Sequence, residues 1–260
     1  MYRLRHVLVP LLLSLLTASL PAQDKQKPQP QQKITKDVDP LALDVLRAVA
    51  QPVQQAQTFS FKALVEEEEL ASNGQIVSFF HTVDVTVQRP DKIRLSFKGR
   101  GQQVEFYREN GTITMYAPDA KLYTTMPTKG ATIDASLTDL RAKNVDIAIG
   151  PFLRSDFYDL VAKAVTTGYV IGRVKVFDKD VHQLAFTAPD ADFQIWVTGE
   201  PDARFVRSEV VNKALEGKPR TTIQFLDWDL SPTIAADEFT FTKPADAIQI
   251  SVLPEPGGQQ

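Results

Sequence analysis

The 260-residue chain contains no cysteine, and this absence excludes several classes of protein. No disulfide and no thiol nucleophile can form, and the lipid-modified cysteine of a bacterial lipoprotein is excluded as well. Long apolar runs are also scarce. The run Val7–Leu16 is shorter than the roughly 20 residues that a membrane-spanning helix needs. We therefore expect a fold that relies on its own hydrophobic core and does not span a membrane.

Residues and motifs suited to catalysis or metal binding are also scarce. Beyond the N-terminal leader the only histidines are His81 and His182, and neither has a second ligand at metal-binding spacing. The chain lacks a Gly-x-Ser-x-Gly elbow, a phosphate-cradling glycine loop and a His-Glu-x-x-His motif. The sequence therefore contains no set of catalytic residues that would support an envelope hydrolase. We predict a protein that is not an enzyme and uses no cofactor or metal.

The first 22 residues have the order of a secretory signal peptide. Arg3 and Arg5 precede the apolar run, and small residues lead to an expected cleavage site after Ala22. Removing two of the 29 Lys and Arg residues leaves 27 against 32 Asp and Glu. This acidic balance provides no basic field for nucleic acid. We predict an exported protein that does not bind nucleic acid.

The mature chain begins with a polar segment and continues as one domain. Residues 23–38, rich in Gln and Pro, are predicted to form a disordered tether because they cannot bury enough apolar surface to fold. Asp39 and Pro40 then suit an N-cap and the first position of an amphipathic helix. We predict a single domain over residues 39–252 and a flexible tail over residues 253–260.

Most of this domain has the alternation of antiparallel strands. In Val83–Gln88 every second residue is apolar, which places the valines on one face of a strand. Asn110-Gly111 is a strong hairpin signal because a type I′ turn needs positive φ at both central residues. Similar runs fill residues 59–126 and 169–228, and together they predict about eleven strands. The fold class is therefore mainly β, with an α+β composition.

A helical segment separates the two sets of strands. Within residues 127–167 a first helix carries Leu137 and Leu140, and a second extends over residues 152–164. A twisted antiparallel sheet of this size tends to curl and needs an apolar cover on one face. We predict a curved antiparallel half-barrel with helices plugging the concave face. Whether a solid core or a cavity lies beneath the helices depends on packing that the sequence does not show.

Several short motifs also carry a resemblance to a known family. They are Asp39-Pro40-Leu41, Arg89-Pro90-Asp91, Phe106-Tyr107 before Asn110-Gly111, Asp192-Phe193-Gln194-Ile195-Trp196, and Trp228-Asp229-Leu230 followed by Phe239-Thr240-Phe241. Their order and spacing over about residues 40–250 resemble a bacterial family of predicted periplasmic proteins of unknown function. That family resembles the LolA-like periplasmic lipoprotein carriers and the LolB-like outer-membrane lipoprotein receptors. The resemblance implies a periplasmic location and an apolar cavity that accepts acyl chains.

The resemblance leads to a predicted function and a set of cavity residues. We predict a non-enzymatic periplasmic carrier or chaperone that binds a lipid or an acylated lipoprotein, with an envelope protein as a further partner. The predicted cavity residues are Val85, Val87, Leu95, Phe97, Phe106 and Met115 on the strands, and Phe157 and Leu160 on the second helix. The alternative is a protein-interaction or sensor module with a solid core, whose outer face or acidic edge at Glu66–Glu69 docks a partner.

Overall fold

The computed structural model describes residues 36–99, 101–143 and 145–251. It contains two runs of strands that are separated by helices. The helices are α1 (Pro40–Gln55), α2 (Ile133–Ala142), α3 (Gly150–Leu153) and α4 (Phe157–Ala164). The strands of the first run are β1 (Asp37–Val38), β2 (Thr58–Leu70), β3 (Ile76–Gln88), β4 (Lys92–Gly99), β5 (Gln102–Glu109), β6 (Thr112–Ala117) and β7 (Leu122–Pro127). Those that follow α4 are β8 (Thr167–Val176), β9 (Lys179–Thr187), β10 (Ala191–Val197), β11 (Phe205–Asn212), β12 (Arg220–Asp229) and β13 (Ile248–Gln249).

All of these strands belong to one curved, unclosed sheet with the order β1-β8-β9-β10-β11-β12-β2-β3-β4-β5-β6-β7-β13. Strands β2 to β12 are antiparallel neighbours, which confirms the predicted half-barrel and its eleven main strands. The two-residue strands β1 and β13 pair in parallel with β8 and β7 at the ends of the sheet. The two predicted runs meet at β2 and β12, where Val65 lies opposite Ile223.

The helical segment has to cross the sheet because of this order. β7 and β8 are consecutive in the chain but lie next to opposite ends of the sheet. Helices α2, α3 and α4 make the connection, and their apolar residues join those of the inner sheet face in one core. Ile133, Leu153 and Phe157 are buried there together with Phe61 and Phe225. The topology therefore places these helices over the inner face.

Helix α1 packs against the same core through one amphipathic stripe. Its buried residues are Ala42, Leu46, Val49, Ala50 and Val53, at helical spacing. Asp39 caps the helix, and its side chain accepts a hydrogen bond from the backbone N–H of Leu41 at 2.9 Å. The helix entry is thus set by the predicted Asp39-Pro40 pair.

Removing this cap should have a modest, measurable effect. Asp39→Ala leaves an N-terminal N–H of α1 without its acceptor, so we expect the free energy of unfolding to fall by about 1 kcal/mol in urea denaturation. Asp37→Ala is the matched control, because it removes an exposed carboxylate two residues earlier. An equal loss for both variants would contradict a specific capping role.

Local turn chemistry is also as predicted at the β5–β6 hairpin. Asn110 and Gly111 have φ values of 51° and 72°, and Glu109 lies opposite Thr112. Both central residues are therefore in the left-handed region that a type I′ turn requires.

Two details differ from the sequence-based expectation. The acidic run Glu66–Glu69 was expected at an edge, yet it lies in β2, an interior strand between β12 and β3. The edge assignment is wrong because β12, far along the chain, pairs with β2 and covers it. The helix expected over residues 152–164 is broken at residues 154–156.

The ends of the chain fall mainly outside the described residues. This holds for the predicted signal peptide at residues 1–22, most of the tether at residues 23–38, and the tail at residues 253–260. The last two residues assigned to the tether, Asp37–Val38, form β1 and pair with Thr167 and Gly168.

Candidate ligand-binding cavity

A cavity of about 570 Å³ lies between α2, the segment that leads into α3, helix α4 and strand β10. Most of its lining is apolar. The apolar lining residues are Leu137, Leu140, Ala142, Val145, Ile147, Pro151, Phe157, Leu160, Val161, Ala164 and Phe193. Leu160 is 43% exposed and Val145 is 36% exposed, so the cavity opens to solvent on one side.

Helix α4 forms one wall, and its sequence explains how. Phe157, Leu160, Val161 and Ala164 recur at spacings of three and four residues and share one face. All four line the cavity, and Phe157 is also buried in the core. This helix therefore presents most of its apolar face to the cavity.

A polar network holds the break between α3 and α4. Arg154 donates from its guanidinium to both carboxylate oxygens of Asp156, at 2.7 and 2.9 Å. The hydrogen bond from Arg154 lowers the pKa of Asp156 below its ordinary value. Ser155 donates its backbone N–H to Asp134 at 3.0 Å, and Gln54 donates to the Ser155 carbonyl at 2.5 Å. These contacts stop the helix and fix the wall of the cavity to α1 and α2.

The space beneath α3 is filled by aromatic rings. The ring of Phe152 lies 4.7 Å from that of Phe225 and 5.1 Å from those of Phe205 and Phe157. Trp228 extends the cluster, 4.3 Å from Phe61, and donates its indole N–H to the Phe205 carbonyl at 2.9 Å. The helices thus cover a solid core and also border a separate cavity.

The structure divides the predicted cavity residues between these two regions. Phe157 and Leu160 line the cavity. Val85, Val87, Leu95 and Phe106 are buried in the core, and Phe97 and Met115 are partly buried against it. The two helical residues of the predicted set therefore line the cavity, and the six strand residues belong to the core or pack against it.

Sequence reasoning did not select several residues that line the cavity. Leu137 and Leu140 carried a helical spacing that could have identified them, since α2 faces α4 across the cavity. Ile147 lies in an irregular segment and Phe193 in β10. Neither has a local signal that distinguishes a cavity residue from a core residue.

Residues 42–253 match the model of a family described as predicted periplasmic protein (DUF2092). The chain belongs to this family. Membership confirms the predicted resemblance and the periplasmic location. Among curated proteins, none is significantly similar in sequence.

Several solved structures are similar to this DUF2092 protein. The lipoprotein LppX of Mycobacterium tuberculosis is 14% identical, and the match covers 76% of this chain and all of LppX with a TM-score of 0.50. LprF of Mycobacterium bovis is 16% identical over 80% of this chain and 98% of its own, with a TM-score of 0.47. A LolA superfamily protein of Nitrosomonas europaea is 10% identical over 77% and 97%, with a TM-score of 0.33. The likeness to LppX shows the fold and agrees with the predicted lipoprotein-carrier-like half-barrel.

In the described part of the chain, no helix is both long and apolar enough to cross a bilayer.

Proposed function

We propose that this protein is a periplasmic carrier or chaperone that binds the acyl chain of a lipid or lipoprotein in the cavity between α2 and α4. The observation that carries the proposal is the apolar lining of that cavity, formed by residues of α2, the segment that leads into α3, helix α4 and strand β10. Its volume of about 570 Å³ falls in the range of about 300–1,000 Å³ that is common for small-molecule sites.

The chemistry of the lining favours an alkyl chain over a polar ligand. Leu160, Val161 and Phe193 offer no hydrogen-bonding side-chain atom, so this part of the lining binds a ligand by removing apolar surface from water. Each buried methylene contributes about 0.8 kcal/mol, which corresponds to roughly a fourfold change in affinity. A carrier of this kind is therefore expected to discriminate strongly by chain length.

This expectation defines the first binding experiment. Shortening a fatty acyl ligand by two methylenes should weaken binding roughly fifteenfold, measured by calorimetry or by displacement of a fluorescent fatty acid. Ala164→Phe places a ring into the cavity and should weaken binding of the longest ligand by at least about tenfold, since the ring occupies volume that the chain needs.

The matched control is Lys163→Phe, which adds the same ring to an exposed position of α4 that does not line the cavity. It should leave affinity unchanged. Affinity that does not depend on chain length, or an equal loss in both variants, would contradict binding of an acyl chain in this cavity.

A further inference from the structure

The lining of the cavity also contains charged residues. Arg141, Asp146 and Arg154 line the cavity together with the apolar residues. The charge of Arg154 is already balanced by its two hydrogen bonds to Asp156, and that contact lowers the pKa of Asp156, which keeps the carboxylate ionised. Two lining charges, those of Arg141 and Asp146, are left for other interactions.

Arg141 and Asp146 come from neighbouring segments of the chain. Arg141 is in the last turn of α2, and Asp146 is in the segment that leads from α2 to α3. Both side chains are exposed, and in the described part of the chain no ion pair satisfies either of them. A cation near the C-terminus of a helix is stabilised by the helix dipole, which accounts for part of the placement of Arg141 but for none of that of Asp146.

This arrangement suits a ligand whose polar end carries both signs of charge. A guanidinium binds a phosphate through parallel N–H donors, and a carboxylate accepts from an ammonium group. An alkyl chain in the apolar part of the cavity would place its polar end at the exposed side, where both charges stand.

We propose that the cavity binds a single-chain amphiphile with a zwitterionic headgroup, the phosphate at Arg141 and the ammonium at Asp146. The inference rests on the proposed acyl-chain binding and names the ligand class for the same site. One chain is inferred because about 570 Å³ is the volume of a site for one drug-sized ligand, and several acyl chains would need more.

The test compares four ligands that share one alkyl chain and differ only in headgroup. These are the alkyl phosphoethanolamine, the alkyl phosphate, the alkyl ammonium and the alcohol, each titrated calorimetrically into the full-length mature protein below its micellar concentration. The zwitterion should bind about fivefold more tightly than the alcohol, a factor typical of solvent-exposed ion pairs.

Two neutralising variants separate the two charges. Arg141→Gln should remove the contribution of the phosphate to binding of both phosphate-bearing ligands and leave the affinity of the alcohol unchanged. Asp146→Asn should weaken the zwitterion and strengthen the alkyl phosphate, because it removes a repelling carboxylate. Arg173→Gln, at an exposed arginine in β8, is the matched control and should change none of the four affinities.

The outcomes distinguish this inference from the function on which it rests. Equal binding of all four ligands, or tighter binding of the alkyl phosphate than of the zwitterion, would overturn the zwitterion proposal and leave acyl-chain binding in place. Failure of every ligand, the alcohol included, would overturn the proposed function and this inference together.

Discussion

Arg108→Ala is expected to lower the free energy of unfolding by about 3–5 kcal/mol, the cost of removing one partner from a buried ionic network. The Arg108 side chain is 0% exposed. It donates from Nε to Ser136 Oγ at 2.8 Å, from Nη1 to the Asp91 carbonyl, and from Nη2 to the Gly130 carbonyl at 3.4 Å. Its guanidinium also lies 3.6 Å from the Asp91 carboxylate.

The size of the effect follows from what these contacts join. Arg108 is on β5, Asp91 is in the turn between β3 and β4, and Ser136 is on α2. Burial lowers the pKa of Arg108, so the nearby Asp91 carboxylate offsets only part of the desolvation cost of this charge. Without the guanidinium, the Asp91 and Gly130 carbonyls and the buried Ser136 hydroxyl lose this donor, and α2 loses one of its contacts with the sheet.

Urea denaturation of two further variants checks this explanation. Arg108→Lys keeps the charge but cannot supply the same fork of donors, so we expect it to recover less than half of the loss. Arg173→Ala removes an exposed arginine and should change stability by less than about 0.5 kcal/mol. A loss below about 1 kcal/mol for Arg108→Ala would show that α2 is held by other contacts.

Phe152→Ala, as a separate variant, is expected to lower the free energy of unfolding by about 3–5 kcal/mol, as is usual when a buried aromatic ring is removed from a core. Phe152 is 6% exposed and lies between the rings of Phe157, Phe205 and Phe225 at 4.7 to 5.1 Å. Removing it leaves a void beneath α3, because the surrounding strands cannot collapse fully into it.

The control is Phe177→Ala, at a phenylalanine that is 77% exposed. It should change the free energy of unfolding by less than about 0.5 kcal/mol. Phe152→Leu should cost about 1–1.5 kcal/mol, since it keeps most of the apolar volume. A thermal denaturation midpoint that is the same for Phe152→Ala and Phe177→Ala would contradict the packing of α3 on the aromatic cluster.

The sequence alone does not identify Arg108 or Phe152 as central to stability. Arg108 follows Phe106 by two residues, so the alternation of a strand places both on the inner face. A charged residue is unfavourable on a buried face unless it has polar partners. Its acceptors at Asp91, Gly130 and Ser136 come from three separate segments. Because these segments meet only in the folded protein, no local pattern could show that the charge is satisfied.

The predicted cavity residues also show that a local sequence pattern does not reveal contacts between distant segments. The alternation of Val85, Val87 and Leu95 correctly indicates an inward face, but it carries no information about what covers that face. The fold buries these residues in the core and forms the cavity further along, beside Phe157 and Leu160. The break at Arg154, which shapes that cavity, depends on hydrogen bonds that reach Asp134 and Gln54.

The half-barrel class, the main strands, the Asn110-Gly111 hairpin and the family resemblance could all be predicted from the amino-acid sequence. The strands and the hairpin depend on periodicity and turn chemistry within a few residues, and the resemblance depends on the order and spacing of short motifs along the chain. The pairing of β12 with β2, the path of α2 to α4 over the inner face between the two ends of the sheet, and the cavity beside a solid core are visible only in the folded protein. Those features depend on packing between residues far apart in the chain, because the volume left between elements is set by all their side chains together.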